Sequence, residues 1–427
     1  MYNTFVIKFY IKLLMSILDS TEKPVCFTSK GAGVKGLSPS TSIPTTHEIT
    51  AITNEVEVLV QGFVEPLNTL DTKPSVVELT LQGGGVKGLA TAKLLETILN
   101  KCDEQSSGSA LSILQTMNFS GVSSGGILAL RLAHFVYTIK QAMSKPKFDA
   151  QKTLDTFLRQ LTDRKTLQRG MVKQLCCGAI FGLLGPELDT EKFEEELQNT
   201  FGTVTLGDLR NAGISVTVLS HNLNTHTSTL LSSMDENVSH IRLVEAGRAT
   251  SAFPTGFEPI ELTIGGKTSL HVDGGLSALS LTTQTLKNAT TRSHKEKTLT
   301  VSLGAGIKVD ENPDDVSHFK NAGCLFWIRP LLENMVNLPS NYTDLHMIAL
   351  AETLDYYDFS LVQFSTKADT LDTGDQNLDQ LNDDVTGWIN NHQDELDAIA
   401  NKLVANYQLL AAIEKQQTLQ DDGNPFG

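Results

Sequence analysis

The fold is decided by residues 77–99, which read VELTLQGGGVKGLATAKLLETIL. In the first five positions, apolar side chains alternate with Glu78 and Thr80, which is the pattern of a β-strand. The glycine-rich turn GGGVKG (83–88) comes next. Beyond it, apolar residues recur at helical spacing, namely Leu94, Leu95, Ile98 and Leu99. The stretch therefore predicts a strand, a tight turn and a helix in succession.

A second unit of the same kind follows along the chain. Residues 111–119 are predicted as its strand, the turn GVSSGG (121–126) comes next, and an apolar helix continues over 129–135. Further strands are predicted at 214–219 and 299–303. Repeated strand, turn and helix units indicate an α/β fold with a largely parallel sheet that is covered on both faces.

The charge balance limits the classes of partner. The 427-residue chain has 34 Lys and Arg against 49 Asp and Glu, which gives a net charge of −15. A nucleic-acid partner requires clustered cations that release counterions from the phosphates, and the sequence has no such cluster. The five cysteines include no C-x-x-C pair, which is typical of reduced thiols in a cytosolic-type protein. The sequence therefore predicts no nucleic-acid partner, and it has no stretch apolar enough to span a membrane.

Composition divides the chain into three predicted parts. Residues 1–74 form an N-terminal extension and linker, which includes a Ser/Thr/Pro-rich stretch at 37–46. Its apolar beginning, residues 1–18, is predicted as an extension upstream of a start at Met15 or as an amphipathic helix, with a signal peptide as the less favoured alternative. Residues 75–310 carry the strand and helix signals. Within them, the apolar run 175–184 is predicted as a buried helix, with a lid as the alternative. Residues 311–427 are acidic and predict helices that pack on the sheet domain through their apolar faces.

The turn GVSSG (121–125) stands between an apolar strand and an apolar helix, which is the context of a nucleophile elbow. A serine hydroxyl becomes a good nucleophile only where it is held exposed, beside a base and near amides that stabilise the oxyanion. The glycine spacing selects Ser123, because Ser124 would need glycine at both Val122 and Gly126. Taken alone, the motif is equally compatible with an ordinary glycine-rich turn.

The turn at 83–88 allows two interpretations. As G-x-G-x-x-G after a strand, with Asp103 further along, it fits a dinucleotide-binding fingerprint. Alternatively, its consecutive amides at the start of a helix can hold a developing oxyanion. The second interpretation is favoured, because a dinucleotide-binding domain has no use for the serine turn downstream. An echo of the turn, GAGVKG (31–36), is not followed by a helical pattern, and no role is assigned to it.

Asp273 is the third candidate. It follows the strand-like residues 269–272 and precedes Gly274 and Gly275. Two glycines let the chain turn sharply and hold the carboxylate at a strand end, where sites in open α/β sheets are built. A plain Asp-Gly turn is the alternative. His271 lies two residues earlier on the same strand face and would extend a Ser-Asp pair to a triad.

The glycine turn, the serine elbow and the Asp-Gly-Gly turn, in this order, resemble the patatin-like phospholipase family. Residues 246–254 and 302–306 are similar to two further segments of that family. The resemblance covers roughly residues 75–310 and implies a three-layer α/β/α fold with a largely parallel central sheet and a helical C-terminal part. The chain departs from the family's pattern at Gln82, at Lys87 and in the loop after the Asp-Gly-Gly turn.

The resemblance implies a carboxylic ester hydrolase, a phospholipase A or lysophospholipase that cleaves fatty acyl esters through a Ser-Asp dyad. Ser123 would be the nucleophile and Asp273 its base. The oxyanion hole would be formed by the backbone amides of Gly83, Gly84, Gly85 and Val86. The implied chemistry needs no cofactor and no metal ion.

The implied substrate is a phospholipid or lysophospholipid, reached by peripheral contact with a membrane. The acidic C-terminal helices are predicted to present a solvated face, with binding of a protein activator as the alternative. The implied location is cytoplasmic or at a membrane surface, and a secreted bacterial effector is compatible with the family. Two other functions stay open. One is a catalytically inert or activator-dependent binding protein of the same fold, and the other, less favoured, is a dinucleotide-binding oxidoreductase.

Overall fold

The computed structural model describes residues 74–106, 108–143, 149–171, 186–292, 297–309 and 339–422. These residues lie within one compact unit, Asp71–Gly427. The N-terminal extension, including the glycine echo, lies outside the described residues apart from its last residue, and the apolar run 175–184 lies outside them entirely. What was predicted for these segments, and the division of the chain at residue 310, therefore stay predictions.

The described strands build one large central sheet and one short strand pair. They are β1 (Val76–Leu81), β2 (Met117–Val122), β3 (Val216–Asn222), β4 (Thr227–Ser232), β5 (Ile260–Ile264), β6 (Lys267–Asp273), β7 (Thr298–Leu303), β8 (Ile307–Lys308), β9 (Tyr357–Val362) and β10 (Ser365–Thr366). The large sheet has the order β5-β6-β3-β2-β1-β7-β9, with β4 also paired to β3. Strands β8 and β10 pair with each other in parallel.

The middle of the sheet is parallel and one end is antiparallel. Strand β1 pairs in parallel with β2 and β7, and β2–β3 and β7–β9 are parallel as well. Strands β4 and β6 run antiparallel to β3, and β5 runs antiparallel to β6. This largely parallel sheet confirms the predicted fold class.

The register at the antiparallel end brings two strand ends together. The last residue of β2, Val122, pairs with Leu219 of β3. The next residue of β3, Ser220, pairs with Asp273, the last residue of β6. Because β6 reaches β3 only beyond the end of β2, Asp273 arrives at the level where β2 turns into Ser123.

The helices lie in the connections between strands and in the C-terminal part. They are α1 (Gly88–Ser106), α2 (Ala110–Gln115), α3 (Ser124–Ala142), α4 (Ala150–Leu161), α5 (Arg164–Gly170), α6 (Thr190–Phe201), α7 (Leu206–Asn211), α8 (Leu243–Ser251), α9 (Thr282–Thr291), α10 (Pro339–Ala351), α11 (Asp375–Asn391) and α12 (Gln393–Asp422). Their 3.6-residue periodicity gives most of them one apolar face to bury.

The two faces of β1 differ in polarity, and helices cover both. Leu79 and Leu81 belong to the main apolar core, together with side chains of α1 and α3. On the opposite face, the buried Glu78 forms an ion pair with Arg292 at the end of α9. The neighbouring Thr300 of β7 is within 3.4 Å of Thr285 of α9. The sheet is therefore the middle of three layers.

Two predicted features differ from the structure. The strand predicted at 111–119 begins only at Met117, because residues 110–115 form α2. The Asp103 carboxylate accepts a hydrogen bond of 2.6 Å from the N–H of Ala110 at the start of this helix. A short apolar run fits either a helix or a strand, so its periodicity did not separate the two. The C-terminal part also supplies β9, a strand that its acidic helical pattern did not predict.

The last of the C-terminal helices, α12, packs on the sheet domain. In α12, Leu396, Ile399 and Leu403 are buried in the same core as Leu99 of α1. Polar contacts add to this packing: the side chain of Asn406 hydrogen-bonds both the N–H and the carbonyl oxygen of Ser75, just before β1. The first strand of the sheet is thus attached to the last helix.

Candidate active site

The turn between β2 and α3 holds Ser123 in a strained conformation. Its φ of +54° costs a residue other than glycine about 1–3 kcal/mol. The flanking glycines allow the turn: a Cβ on Gly121 would lie 2.3 Å from the carbonyl oxygen of Gly125, and a Cβ on Gly125 would lie 2.3 Å from that of Leu81. The N–H of Ser123 donates a hydrogen bond of 3.1 Å to Oγ1 of Thr250. The predicted elbow is therefore a tight turn with the serine at its corner.

Ser123 and Asp273 meet at this turn, although they are far apart in the sequence. The Ser123 hydroxyl donates a hydrogen bond of 2.7 Å to Oδ2 of Asp273. The other carboxylate oxygen, Oδ1, accepts a 2.7 Å hydrogen bond from the N–H of Gly275, and the N–H of Asp273 donates to the carbonyl oxygen of Ala252 at 3.0 Å. Both carboxylate oxygens are thus held in fixed directions.

Burial makes Asp273 a stronger base than an ordinary aspartate. The residue is only 1% exposed. Burial raises the pKa of Asp273 to about 7, against the opposing effect of the hydrogen bonds from Ser123 and Gly275. A carboxylate whose pKa lies near neutral pH accepts a proton far more readily than one that titrates near pH 4.

The amides of the glycine turn are largely occupied. Gly84 donates its N–H to Oγ of Ser124 at 3.2 Å. Val86 donates to the carbonyl oxygen of Thr370 at 2.9 Å. The N–H of Gly83 likewise donates to the carbonyl oxygen of Leu279 at 3.0 Å. A substrate oxygen bound by any of these three amides would compete with an existing acceptor.

Gly85 is the fourth predicted member of the oxyanion hole. Its φ is +56°, and a Cβ built on it would lie 2.2 Å from the carbonyl oxygen of Thr370. Thr370 belongs to the C-terminal part and carries no sequence signal that links it to the glycine turn. The turn is therefore shaped by a segment that local sequence reasoning missed.

The segment 246–254 contacts both candidate catalytic residues. Its helix α8 presents Thr250 to the N–H of Ser123, and Ala252 holds the N–H of Asp273. Earlier in the helix, the buried Arg248 donates from Nε to Glu194 at 2.8 Å. Its guanidinium lies 5.9 Å and 5.8 Å from the ring centroids of Phe193 and Phe257. This segment therefore holds the backbone of Ser123 and Asp273 and also contacts two aromatic side chains that line the cavity.

A cavity of about 190 Å³ opens beside Ser123 and Asp273. Ser123 and Asp273 lie in its lining, together with Gly84 and Gly85. The rest of the lining is mainly apolar, and it includes Ile127 and Leu128 of α3, Phe193 and Leu197 of α6, and Phe253 and Phe257 after α8. A hydroxyl–carboxylate pair thus faces a space that suits a hydrocarbon chain.

The comparison with protein families gives one match. Residues 79–282 match the family model described as patatin-like phospholipase. The matched residues include the glycine turn, the serine elbow and Asp273.

Residues 79–282 form a patatin-like phospholipase domain.

Other comparisons add little to this assignment. Among solved structures, the chain is similar to VipD from Legionella pneumophila, with 16% sequence identity and a TM-score of 0.31. The similarity covers 74% of this chain and 67% of that chain. A TM-score this low supports no conclusion about fold or function. The comparison with curated proteins gives no match.

Two departures from the family's pattern have structural partners in this patatin-like domain. Lys87 is buried and donates from Nζ to the carbonyl oxygen of Gly306 at 2.9 Å. Burial lowers the pKa of Lys87 to about 8. The side-chain oxygen of Gln82 accepts a 3.2 Å hydrogen bond from Gln363, which follows β9. Both residues therefore fasten the glycine turn to the segments that follow β7 and β9.

His271 does not complete a triad in the patatin-like domain. The ring is fully buried, with Nδ1 at 2.9 Å from Oγ of Ser220 and Nε2 at 3.0 Å from Oγ of Ser269. Burial lowers the pKa of His271, with a smaller contribution from the charge of His221. Because both ring nitrogens already have hydroxyl partners, the ring is held as part of the strand pairing.

The dinucleotide interpretation required Asp103 close to the phosphate-binding turn. Asp103 instead lies near the far end of α1, about 20 Å along the helix axis from Gly88. Its carboxylate accepts hydrogen bonds from the N–H of Ala110 and from the side chain of Gln151. The geometry therefore does not reproduce the fingerprint.

Over the described ranges, no helix is both long enough and apolar enough to cross a bilayer.

Proposed function

We propose that this patatin-like protein hydrolyses fatty acyl esters of phospholipids or lysophospholipids through a Ser123–Asp273 dyad. The observation that carries the proposal is the 2.7 Å hydrogen bond from the Ser123 hydroxyl to the buried Asp273 carboxylate, at the edge of an apolar cavity. The patatin-like phospholipase domain supports the class of reaction.

The proposed reaction has two stages with the same base. Asp273 accepts the proton of the Ser123 hydroxyl while Oγ attacks the acyl carbonyl carbon. The protonated Asp273 then gives this proton to the departing alcohol, which leaves an acyl ester on Ser123. Water attacks that ester with Asp273 as base, and the fatty acid and the free serine are released. No step of this sequence uses a metal ion.

The oxyanion that forms in each stage needs nearby N–H donors. We assign this role to the glycine turn, with Gly85 first, because Gly83, Gly84 and Val86 already donate to acceptors of the protein. For the N–H of Gly84 or Val86 to bind the oxyanion, its hydrogen bond to Ser124 or to Thr370, respectively, must break when substrate binds. Each donor that acts on the oxyanion contributes about 3–4 kcal/mol to lowering the barrier.

The test measures fatty acid release from mixed phospholipid and lysophospholipid vesicles in the presence of EDTA. We expect release by the wild-type chain and a loss of about 10⁴-fold or more in both Ser123→Ala and Asp273→Asn. Ser124→Ala is the matched control, because it removes a neighbouring hydroxyl from the same cavity. We expect it to lose much less activity than Ser123→Ala does.

A covalent probe separates the nucleophile from other contributions. A fluorophosphonate should form a bond to Oγ of Ser123 with loss of fluoride, and peptide mass spectrometry then locates the label. Hydrolysis that survives in Ser123→Ala would mean that the nucleophile is another residue. A wild-type chain that stays silent, with and without a cell lysate to supply an activator, would favour the inert binding protein.

A further inference from the structure

One half-buried cation in the cavity, Arg131, takes no part in the proposed chemistry. Arg131 lies on α3 and lines the same cavity as Ser123. Its Nε is buried and has no hydrogen-bond partner among the described residues. A buried donor without an acceptor costs free energy, and native proteins keep few of them. Nε of Arg131 therefore needs a hydrogen-bond acceptor, and the described residues do not supply one.

A second arginine, Arg248, has hydrogen-bond partners on two of its three guanidinium nitrogens, while its Nη1 has none among the described residues. Arg248 donates from Nε to Glu194 at 2.8 Å and from Nη2 to the carbonyl oxygen of Glu258 at 2.9 Å. It also stacks against two aromatic rings. Nε of Arg131, by contrast with Nε of Arg248, has no partner among the described residues.

An anionic ligand can still bind Arg131, because the acidic side chain that acts on it is paired with another arginine. Glu196 of α6 is the acidic residue that acts on it, but the carboxylate of Glu196 forms an ion pair with Arg169 at 3.2 Å. Asp163 also lines the cavity. Burial lowers the pKa of Arg131 to about 10, so the side chain is still a cation at neutral pH.

The position of Arg131 on α3 relates it to the dyad. Ser124, Ile127, Leu128 and Arg131 follow the spacing of one helix face, and all four line the cavity. The rise from Ser124 to Arg131 is about 10 Å along the axis. Helical side chains lean towards the N-terminus, which brings the guanidinium back towards Ser123. An anion bound by Arg131 therefore lies close enough to the reacting ester to be part of the same substrate molecule.

The anion must be present in the substrate together with the ester. A fatty acid carboxylate does not meet this condition, because it forms only on hydrolysis and at Ser123 itself. In a glycerophospholipid, the glycerol links the ester to a phosphate through a few bonds. The guanidinium fork matches the oxygens of a phosphate, with which it forms charge-assisted hydrogen bonds.

We propose that Arg131 binds the phosphate of the substrate and thereby selects phosphate-bearing acyl esters over neutral ones. The proposal rests on the proposed function and adds a specificity-determining residue to it.

The first test compares two substrates that have the same acyl chain. We expect Arg131→Gln to lower the ratio of kcat/KM for lysophosphatidylcholine to kcat/KM for monoacylglycerol by about 10- to 100-fold, mainly through KM. Arg131→Lys keeps the charge without the fork and should fall between wild type and Arg131→Gln. Arg210→Gln is the matched control, because it removes a charge that is paired with Glu236 outside the cavity lining, and its ratio should stay near that of wild type. An unchanged ratio in Arg131→Gln would overturn the proposal.

The second test measures binding without hydrolysis. Calorimetry on the full-length Ser123→Ala chain compares decyl phosphate, decanol and inorganic phosphate. We expect decyl phosphate to bind at least about 10-fold more tightly than decanol and inorganic phosphate, and to lose this advantage when Arg131→Gln is added. Inorganic phosphate that binds as tightly as decyl phosphate would assign a free-phosphate site and overturn the head-group role.

The two tests separate this proposal from the proposed function. Phosphate-selective binding without any hydrolysis would keep the role of Arg131 and reject the hydrolase. Hydrolysis without preference for phosphate would do the reverse. If the Arg131 variants fail to fold, the preference of the Ser123→Ala chain for decyl phosphate over decanol still decides the matter, since equal binding would contradict the proposal.

Discussion

The two glycine turns follow neighbouring parallel strands and both lead into helices, yet different parts of the chain hold them. In the serine elbow, the closest contact of Gly121 is the backbone of Gly125, within the same turn. In the glycine turn, the closest contact of Gly85 is the carbonyl oxygen of Thr370, in the C-terminal part of the chain. The elbow therefore packs partly within its own turn, whereas the closest contact of Gly85 in the glycine turn comes from a segment far away along the chain.

The largest effect is expected from a methyl group inside the elbow. In Gly125→Ala the new Cβ would lie 2.3 Å from the carbonyl oxygen of Leu81 and 2.5 Å from that of Gln82. Both atoms belong to the backbone of the central sheet and cannot yield easily. We expect the free energy of unfolding in urea to fall by about 3 kcal/mol or more, with loss of hydrolysis.

Gly387→Ala is the control for this substitution. Gly387 lies within α11, and nothing lies within 4 Å of a Cβ built on it. Alanine is a better helix former than glycine, so the free energy of unfolding should rise by about 0.5–1 kcal/mol. If the two variants had similar stability, the tight packing described for the elbow would be wrong.

The carboxylate that faces the elbow should make stability and activity respond to pH in opposite directions. Burial raises the pKa of Asp273 from its ordinary value of 3.8 to about 7. Between these values the folded state binds more protons than the unfolded state, so the free energy of unfolding falls as pH rises from about 4 to 7. Hydrolysis should rise over the upper part of the same range, since Asp273 must lose its proton to act as base.

Thermal unfolding and fatty acid release, each measured from pH 5 to pH 9, check this expectation. In Asp273→Asn the contribution of this group to the pH dependence of the free energy of unfolding should disappear. At pH 8 the free energy of unfolding of this variant should exceed that of wild type by up to roughly 4 kcal/mol. A wild-type chain whose stability does not fall between pH 5 and pH 7, relative to Asp273→Asn, would contradict the burial argument.

The local character of the elbow explains why sequence reasoning located it. The strand, Ser123 and the two spaced glycines are contiguous, and their steric requirements involve few other residues. Asp273 was found in a similar way from the two glycines that follow it. Its pairing with Ser123 was expected from the family resemblance, because strand order and register at the end of β2 have no signature in the local sequence.

The surroundings of the glycine turn were beyond sequence reasoning for the same physical reason. Thr370 acts through a backbone carbonyl, and any residue type offers one. Gln363 and Lys87 form hydrogen bonds whose partners lie hundreds of residues away along the chain. Arg131 was missed because a single arginine in an apolar helix usually reaches solvent, and only the structure shows that its Nε is buried. The roles of these residues depend on tertiary contacts, which local sequence patterns do not show.

A methyl group on the glycine turn should have a smaller effect that depends on the C-terminal part. Gly85 has a φ of +56°, and a Cβ on it would lie 2.2 Å from the carbonyl oxygen of Thr370. Gly202 has a similar φ of +58°, but nothing lies within 4 Å of its Cβ. We expect Gly202→Ala to cost about 1–2 kcal/mol through backbone strain alone, and Gly85→Ala to cost a further 1–3 kcal/mol or so through the contact.

Urea unfolding of both variants measures the difference. Fatty acid release should fall strongly in Gly85→Ala and little in Gly202→Ala, because only the former distorts the proposed oxyanion hole. Equal costs for the two substitutions would show that Thr370 does not restrain the glycine turn.

The smallest effect is expected where the elbow itself depends on a distant residue. Oγ1 of Thr250 accepts the hydrogen bond from the N–H of Ser123. Thr250→Val keeps the shape of the side chain but leaves this N–H without its acceptor, which should cost about 1–2 kcal/mol of stability. Because the N–H belongs to the strained residue that carries the proposed nucleophile, we also expect hydrolysis to fall by roughly 10-fold, which corresponds to about 1.4 kcal/mol of barrier.

Thr250→Ser keeps the hydroxyl and loses only a methyl group, so its hydrolysis should stay closer to wild type. For the contact of the glycine turn with Thr370 no equivalent substitution exists, since the acceptor there is a backbone carbonyl that no side-chain change removes. If Thr250→Val hydrolysed lipid as fast as Thr250→Ser, the elbow would hold Ser123 without help from α8, and its dependence on local sequence would be nearly complete.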